Sequence, residues 1–576
     1  MGKINISSEC SKLVLGIIFF SGIIAAETYY VSNTGKNTNP GTKEKPWATP
    51  GYGSRRIKPG DTLIITKGRY ILSKYDEDII TPPSGRPGAW ITIKGQNADQ
   101  SPVLAGKNNL AYTIHLSNVS HVKIENLEIT SDDGAVLRDG ITAIDRPVSH
   151  IVFNNLYIHH LNEFGMNLKD VKHVLVFNTK IDYCGFGSIG GPKAKSGGWQ
   201  HVVIKDCSLS YSGHFYSGKK NPYDRPDGFG IEPSRGPVEI VNSTAEHNRG
   251  DGLDSKAKNT YIHECVVANN RCDGIKLWGS GSKIENCLIY GRGDGNTQAA
   301  PWAAIVIDSE KPGRFEISNT TVDDFMGKNY IMYVQYDTPN IPINLNIKNS
   351  IFNARGENSP IFLARAVDYE ILSTLFYFPK NDSVLIHGGI REYKAGQISL
   401  LGPGNIYGDP LFLSPAFGKS GDYHVKRNSK AVDNGTVSKK GLSVIDLDGN
   451  RRNSDGNNDR IPRVDMGAYE YGSESIKPGL SCLFYPAGKI SDLRSEFIWT
   501  AVDNSAHYRL RIKQGTKFIM NKRRYKTSAV NKNGICSIRL PIRLLPGKKY
   551  SWRVKAMNRN GKGKWSPNKR FYVKND

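Results

Sequence analysis

The sequence predicts an all-β protein, namely a right-handed parallel β-helix (a solenoid) followed by a small β-sandwich. Two observations predict the solenoid. A strand-like motif recurs along most of the chain, and short Asp-Gly segments repeat at the spacing of one solenoid turn. A third observation predicts the sandwich, since the C-terminal part reads as short alternating strands separated by turn residues. No stretch offers a long amphipathic helix.

The recurring motif alternates apolar residues and ends in a small or polar residue. Its steps range from 22 to 36 residues, and like side chains at one register fit a ladder inside stacked coils. A propeller is the competing interpretation, but its blades need about 40–45 residues and four strands. The copies end at Asn126, Asn155, Thr179, Cys207, Ser243, Cys265, Cys287, Thr320, Ser350 and Thr374. We expect the three cysteines in this register to be buried.

Residues 1–26 predict a secretory signal peptide. Lys3 and Lys12 precede an apolar run from Leu13 to Ala26, which ends in small residues and is too short to span a bilayer. No later stretch is long and apolar enough to do so. The sequence therefore predicts a secreted protein, extracellular or periplasmic, that is monomeric and has no membrane span.

Residues 27–474 predict the β-helix domain, with an N-terminal cap and a closing segment. A Gly/Pro-rich opening forms the cap, coils continue to about residue 400, and the closing segment runs through the IDLDGN and VDMGAYEY stretches. Both ends resemble the corresponding segments of secreted β-helix proteins.

Residues 475–576 predict a separate β-sandwich. Trp499, Tyr508, Trp552 and the ending NGKGKWSP resemble fibronectin type III modules, in which such aromatic residues form the core. Cys482 and Cys536 are a possible disulfide pair in an oxidising compartment, which the sequence leaves open.

The charge of the chain is concentrated in this C-terminal module. The formal net charge is +23, a value that by itself suggests a polyanionic partner. Residues 475–576 hold 24 Lys and Arg against 4 Asp and Glu, a net of +20, which leaves only +3 for the rest of the chain. The sequence therefore predicts no nucleic-acid partner for the solenoid.

Three Asp-Gly segments place chemically useful side chains in register. They begin at Asp227, Asp251 and Asp273, which lie 24 and 22 residues apart. Stacked coils bring such positions to about 4.7–4.9 Å from one another. We expect Asp227, Asp251 and Asp273 to stack, and Asp254 and Lys276 to stack three residues further along.

Acids beside a single amine suit the cleavage of a uronate polymer by β-elimination. A lyase must remove the proton on C5, beside the sugar carboxylate, and expel the oxygen on C4. Calcium prefers carboxylate oxygens and can neutralise the sugar carboxylate. A lysine can act as the base where nearby positive charge or burial lowers its pKa.

At these residues the chain resembles the family-nine polysaccharide lyases, a group of secreted pectate lyases. That family carries Ala-Asp-Gly-Phe on one turn, Asp-Asp-Gly-Trp-Asp on the next and Asn-Gly-Phe-Lys-Leu-Gly-Gly on a later one. The matching segments here begin at Pro226, Gly250 and Asp273.

The resemblance implies a role for each matching residue. Asp227, Asp251 and Asp254 are expected to bind Ca²⁺, and Lys276 is expected to be the general base. Gly250 stands where the family has a further acid, so one ligand is missing. Asp273 replaces an Asn, and either compensates as a fourth ligand or holds Lys276 protonated.

A second alignment, shifted by one turn, makes Lys256 a secondary candidate for the base. It places Lys276 where a calcium ligand belongs, so the first alignment is preferred. The expected substrate is an acidic polysaccharide such as pectate. The residues predicted to bind it are Arg225, Arg249, Arg271 and Trp278.

Three other functions remain open at this point. A glycoside hydrolase needs two carboxylates, which Asp251 with Asp254, Asp273 or Glu232 would supply. A uronate epimerase is faintly suggested by Ile231-Glu232-Pro233-Ser234, although the His and second Asp of that motif are absent. A non-catalytic glycan-binding protein or adhesin is the third, because the fold alone does not give the function.

Overall fold

The structure is a computed structural model of the chain. It describes residues 26–472, except 87–88, 99, 300, 358, 381–383 and 437–444, and residues 483–575, except 487, 491–492, 503–504, 522–523, 533–534, 541, 559–560, 564 and 567. The predicted signal peptide lies outside the described residues, apart from Ala26. Cys482 lies outside them as well, so its pairing with Cys536 stays a prediction. Within the described part of the chain, no helix is long and apolar enough to cross a membrane.

Parallel strands build a right-handed parallel β-helix with three faces, as predicted. Two of the faces share one 24-stranded sheet, because the strands Ser120–Ser131 and Val148–Leu161 run from the first face onto the second. The remaining strands of the first face are Thr28–Val31, Thr62–Ile65, Ile91–Gly95, Val171–Phe177, Trp199–Lys205, Val238–Val241, Thr260–His263, Ser282–Glu285, Gly313–Ser318, Ile343–Lys348 and Val367–Leu372.

The second face closes each coil between the first and the third. Its further strands are Arg69–Leu72, Val103–Gly106, Lys180–Cys184, Ser208–Ser210, Thr244–Glu246, Val266–Ala268, Leu288–Tyr290, Thr321–Asp324, Ile351–Ala354, Leu375–Tyr377 and Ile406–Tyr407.

The third face is a separate 12-stranded sheet and carries the candidate site. All its neighbouring strands pair in parallel except the last two, which are antiparallel. Its strands are Leu110–His115, Leu137–Ala143, Phe164–Leu168, Gly187–Gly191, Asp227–Ser234, Leu253–Ala257, Ile275–Leu277, Ala303–Ile307, Tyr330–Val334, Ile361–Leu363, Ile386–Gly388 and Arg391–Tyr393.

One continuous apolar core fills the coils, and the predicted ladder lies within it. Thr179, Cys207, Cys265 and Cys287 are buried, as expected for one internal register. The prediction was wrong by one residue in the first two coils. Asn126 and Asn155 align with Asn178, one position before Thr179, because these asparagines have the left-handed φ of the coil corner; the carboxamide of Asn155 donates to Asn126 Oδ1 at 2.9 Å.

Helical segments are short and lie at the ends of the β-helix or in the C-terminal module. They are Pro50–Ser54, Tyr75–Asp78 and Thr527–Val530, together with the 3-10 helix Ala395–Leu401. The closing segment contains the antiparallel pair Phe412–Ser414 and Asp422–Val425. Its apolar residues pack on outward residues of the second face, such as Tyr290 and Leu375, so this segment covers part of that face.

The C-terminal module is a small β-sandwich with its own apolar core around Trp499, Tyr508 and Trp552. The four strands of one sheet are Leu483–Tyr485, Glu496–Thr500, Asn531–Lys532 and Ile535–Arg539. The strands of the other are Gly488–Ile490, His507–Gln514, Lys517–Met520, Arg524–Lys526, Lys549–Asn558, Gly561–Lys562 and Lys569–Val573. Its likeness to fibronectin type III modules stays a prediction, as do the domain boundaries.

A buried carboxyl group on the third face makes stability depend on pH. Burial raises the pKa of Asp139 to about 7, although the carboxylate accepts hydrogen bonds from the Phe164 N–H and the Asn167 carboxamide. Between about pH 4 and pH 7 the unfolded chain loses this proton and the folded chain keeps it, so folding stability falls as pH rises. The Asp139→Asn variant has no such proton, so we expect it to lack this pH-dependent decrease in folding stability, which is on the order of a few kcal/mol. Urea unfolding of both proteins at several pH values measures it, and parallel pH profiles would contradict the assignment.

Candidate functional site

The third face brings the predicted chemical groups together. Phe229, Leu253 and Ile275 pair across three adjacent strands and are buried in the core. Because side chains alternate along a strand, the residues that follow them point outward. Gly230, Asp254 and Lys276 are therefore neighbours on the outer surface of the face, in the predicted register.

A ladder of hydrogen bonds fixes the aspartates that precede these strands. Asp227 Oδ1 accepts the N–H of Asp251 at 2.7 Å, and Asp251 Oδ1 accepts the N–H of Asp273 at 2.9 Å. Asp273 Oδ1 in turn accepts the N–H groups of Trp302 and Ala303 at 2.6 and 2.9 Å. One oxygen of each carboxylate thus binds the next coil and orients the group.

Three of the predicted ligands form a compact carboxylate group. One oxygen from each of Asp227, Asp251 and Asp254 lies within 4.8 Å of the others. The indole N–H of Trp278 donates to Asp254 Oδ1 at 2.8 Å and holds this side chain in place. Asp273 is outside the group, since it lies one coil further on.

Burial and mutual repulsion raise the pKa of all three carboxyl groups. The pKa of Asp254 rises to about 7, through burial first and then the charge of Asp251. Burial also raises the pKa of Asp251, with Asp273 adding to it, and that of Asp227 well above its usual range. Ionisation of three crowded carboxyl groups is unfavourable unless a positive charge offsets it. A hard divalent cation such as Ca²⁺ provides that charge and prefers carboxylate oxygens as ligands.

Lys276 lies beside this group and is only 3% exposed. Its Nζ is 2.8 Å from Asp251 Oδ2 and 2.9 Å from Asp273 Oδ2, and it lies 4.6 Å from the ring centroid of Trp302. Burial alone would lower the pKa of Lys276, but the charges of Asp251, Asp273 and Asp254 outweigh it and raise the pKa. The amine is therefore protonated unless the surrounding negative charge is compensated.

Gly250 has no room for a side chain. A Cβ at this position would lie 2.3 Å from Asp227 Oδ1 and 2.6 Å from the carbonyl carbon of Pro226. The acid that the resemblance places here therefore cannot fit without a shift of Asp227. The observed position of the Asp227 carboxylate thus depends on the absence of a side chain at Gly250.

We expect Gly250→Ala to displace Asp227 and to weaken both folding and any activity of the site. Overpacking of this kind costs about 1–3 kcal/mol. Thermal unfolding measures the loss. The matched control is Gly396→Ala, where a Cβ would meet nothing within 4 Å. Equal unfolding temperatures for the two variants would contradict the steric argument.

A cleft of about 920 Å³ lies over the carboxylates and Lys276. Trp278, Trp302 and Arg225 line it, and the guanidinium of Arg225 lies 4.4 Å from the ring centroid of Trp302. Further cations on the wall are Lys256, Lys258 and Lys311. Lys256 is ion-paired with Glu232 at 2.6 Å. A smaller lobe of about 400 Å³ adjoins the cleft and is lined by aromatic residues, which are Phe164, Phe186 and Tyr223.

Two predicted substrate ligands do not reach this cleft. Arg249 and Arg271 are exposed and are not among its lining residues. Both lie in the turn between the second and third faces, where Arg249 N–H bonds to Ser212 and Arg271 N–H bonds to Asn248. The turn places these two arginines before the chain enters the third face, so they are not brought together with the other predicted residues.

Sequence reasoning missed Trp302 and Tyr223. Val306 pairs with Lys276 on the next coil, and an insertion before Trp302 lengthens the step between these two residues. This irregular spacing hid the register of Trp302. Tyr223 lies in the long connection before Asp227. A tryptophan directly preceding the apolar strand Ala303–Ile307 is the one signal that would have indicated a position at the edge of the face.

A family model matches the β-helix, and one curated relative matches part of the chain. Residues 29–297 match the model of a family described as "Pel9A-like, right handed beta helix region". The curated relative YwoF of Bacillus subtilis (strain 168), an uncharacterized protein, is 28% identical over 139 residues, which is 22% of this chain and 28% of that protein. The match therefore spans little more than a quarter of the relative.

Several solved structures are similar to the chain at low sequence identity. The structure of XylC with xylose is 10% identical, covers 77% of this chain and 99% of its own, and has a TM-score of 0.51. Pectate lyase Pel9A is 16% identical, with coverages of 78% and 98% and a TM-score of 0.41. The A-module of the Azotobacter vinelandii mannuronan C-5 epimerase AlgE6 is 12% identical, with coverages of 61% and 91% and a TM-score of 0.45. The likeness to the XylC structure, with a TM-score above 0.5, concerns the fold alone.

Proposed function

We propose that the protein is an exported polysaccharide lyase that cleaves an acidic, uronate-containing polysaccharide such as pectate by calcium-assisted β-elimination. The observation that carries the proposal is the position of Lys276, whose Nζ lies 2.8 Å from Asp251 Oδ2 and next to a three-carboxylate group. The match of residues 29–297 to a Pel9A-like β-helix family supports it. Export rests on the predicted signal peptide.

Asp227, Asp251 and Asp254 would hold Ca²⁺. They offer crowded carboxylate oxygens, and each has one oxygen already fixed by a hydrogen bond from the protein. Bound Ca²⁺ would neutralise the sugar carboxylate and offset the negative charge that now raises the pKa of Lys276. Asp273 is proposed as the partner that orients Lys276, and no longer as a metal ligand.

Lys276 acts as the base in the proposed reaction. Its free amine takes the proton from C5 of the uronate, the electron pair of the broken C–H bond forms the C4–C5 double bond, and the C4–O bond breaks. The leaving oxygen takes a proton from water. Asp251 and Asp273 hold Nζ in place, and the Trp302 ring shields it from solvent.

The remaining cleft residues bind the sugar. Arg225 offers a two-pronged donor for a sugar carboxylate, and its stacking on Trp302 fixes its direction. Trp278 and Trp302 present ring surface to a sugar face. Lys256, the secondary candidate for the base, is assigned to substrate carboxylate binding, since Glu232 pairs with it on the wall of the cleft.

A glycoside hydrolase is the second candidate. Asp254, with a pKa of about 7, would be protonated in part near neutral pH, and Glu232 lines the same cleft. This pair could serve as acid and base.

The test is incubation with polygalacturonate, alginate and other uronate polymers, with calcium or with chelator. We expect a calcium-dependent rise in ultraviolet absorbance from the unsaturated product. New reducing ends without that absorbance would favour the hydrolase. Inverted C5 stereochemistry without cleavage would favour an epimerase, and binding alone would favour a non-catalytic glycan-binding protein.

A further inference from the structure

A cluster of aromatic side chains lies on the outer surface of the third face, beyond the cleft. We define the aromatic patch by its four rings, those of Tyr330, Tyr333, Tyr336 and Phe362. Tyr336 is 52% exposed, and its ring centroid lies 5.5–5.7 Å from those of Phe362, Tyr330 and Tyr333. Tyr330, Phe362 and the buried Tyr333 pack with Ala303 and Val306, and Phe362 also packs against the main core.

The patch continues from the candidate site. Lys276, Val306, Tyr333 and Phe362 pair in register across four adjacent strands. Each step along this column is about 4.7–4.9 Å. The ring of Trp302, which lines the cleft and is 37% exposed, lies 6.5 Å from that of Tyr333. A chain lying along the axis of the β-helix would pass over this largely buried column, from the ring of Trp302 to the exposed ring of Tyr336.

A groove with two arginines adjoins the far side of the patch. It has a volume of about 560 Å³, and Phe362 belongs to both the patch and the groove. Arg365 and Arg391 line it and are exposed. The acid in the groove, Glu392, lies 3.3 Å from His387. The groove thus presents positive charge next to an exposed aromatic surface.

We propose that the aromatic patch and the arginine groove bind a stretch of acidic polysaccharide beyond the bond that is cut. Sugar rings present C–H faces that stack on aromatic side chains, while uronate carboxylates pair with guanidinium groups. Arg365 and Arg391 are the cations that line the groove, so they are the groups expected to pair with the sugar carboxylates. The identity of this ligand rests on the proposed function, since the patch is read as an extension of the catalytic cleft.

The test compares the wild type with Tyr336→Ala/Arg365→Gln. Affinity electrophoresis in gels containing polygalacturonate or alginate measures binding, and ultraviolet absorbance measures cleavage of long polymers and of trimers. We expect about a tenfold loss of affinity for the polymer. Cleavage of the polymer falls at low concentration, while cleavage of trimers, which are too short to reach the groove from the cleft, is unchanged. The matched control is Tyr75→Ala, which removes a tyrosine that is 56% exposed and lies outside the site.

The outcomes separate this inference from the proposed function. Unchanged polymer affinity in the double variant overturns the inference. So does an equal loss for trimers and polymers, because it indicates damage to the cleft. If the double variant binds the polymer more weakly than the wild type, but neither forms unsaturated product from any polymer, the patch is supported as a glycan-binding site and the proposed lyase activity is refuted. Tyr336→Phe with Arg365→Lys should retain most of the affinity, which excludes misfolding as the cause of a loss.

Discussion

Replacing Lys276 with alanine is expected to lower the turnover of the uronate polymer by roughly 10³-fold. The variant loses the amine that takes the C5 proton, while the residues proposed to bind the polymer, among them Arg225, remain. The effect should therefore fall on kcat and leave polymer affinity nearly unchanged. Initial rates of unsaturated product in calcium buffer measure kcat, and affinity electrophoresis measures binding.

The matched control is Lys256→Ala, which removes a lysine from the same cleft. Since Lys256 pairs with Glu232 on the wall and is proposed to bind substrate, its loss should raise KM and cost far less in kcat. A larger loss of kcat for Lys256→Ala than for Lys276→Ala would reverse the assignment of the base and restore the shifted alignment. Because Lys276 compensates buried carboxylates, circular dichroism in calcium must first establish that its variant is folded.

Calcium removal is expected to abolish activity and to lower thermal stability together. A ligand that binds only the folded state stabilises it by about 2.7 kcal/mol at a concentration of 100 times Kd. In the metal-free protein the carboxylates of Asp227, Asp251 and Asp254 repel one another, and relief of this repulsion is part of the free energy of calcium binding. Thermal unfolding with added calcium or chelator, together with calorimetric titration, measures both effects.

Asp227→Asn tests which residues hold the ion. Its amide oxygen can still accept the N–H of Asp251, so the coil contact is retained while one charge is lost. We expect calcium affinity to fall at least about tenfold. The matched control is Asp139→Asn on the same face, whose carboxylate accepts the N–H of Phe164 in the same way, outside the carboxylate group. An equal loss of calcium affinity in both variants would refute the assignment.

The fold and the register of the site followed from local patterns. Alternating strands and the spacing of Asp227, Asp251 and Asp273 were sufficient, because parallel coils convert a constant spacing into contact. The pairing of Asp254 with Lys276 needed no other information.

The details that local patterns did not predict depend on backbone geometry. The left-handed corner at Asn126 shifts the ladder by one residue, and the turn that holds Arg249 keeps this arginine out of the cleft. Trp302 joins the site only because an insertion returns to the face one coil later. A Cβ at Gly250 would lie 2.3 Å from Asp227 Oδ1. This clash arises between two adjacent coils, so the sequence around Gly250 alone does not predict it.

Asp227 and Asp251 each have two roles, since one carboxylate oxygen accepts a hydrogen bond from the next coil and the charge belongs to the candidate site. Alanine and asparagine substitutions affect these two roles differently. An alanine at Asp227 or Asp251 would remove both the charge and the acceptor for the next coil, so it would loosen the scaffold as well as the site. An asparagine keeps the acceptor and removes only the charge. Under the proposed function, a single amide substitution at Asp227 or Asp251 would abolish activity and leave a stable protein that still binds the polymer. A related sequence with Asn at the position of Asp227 or Asp251 is therefore expected to bind the polysaccharide without cleaving it.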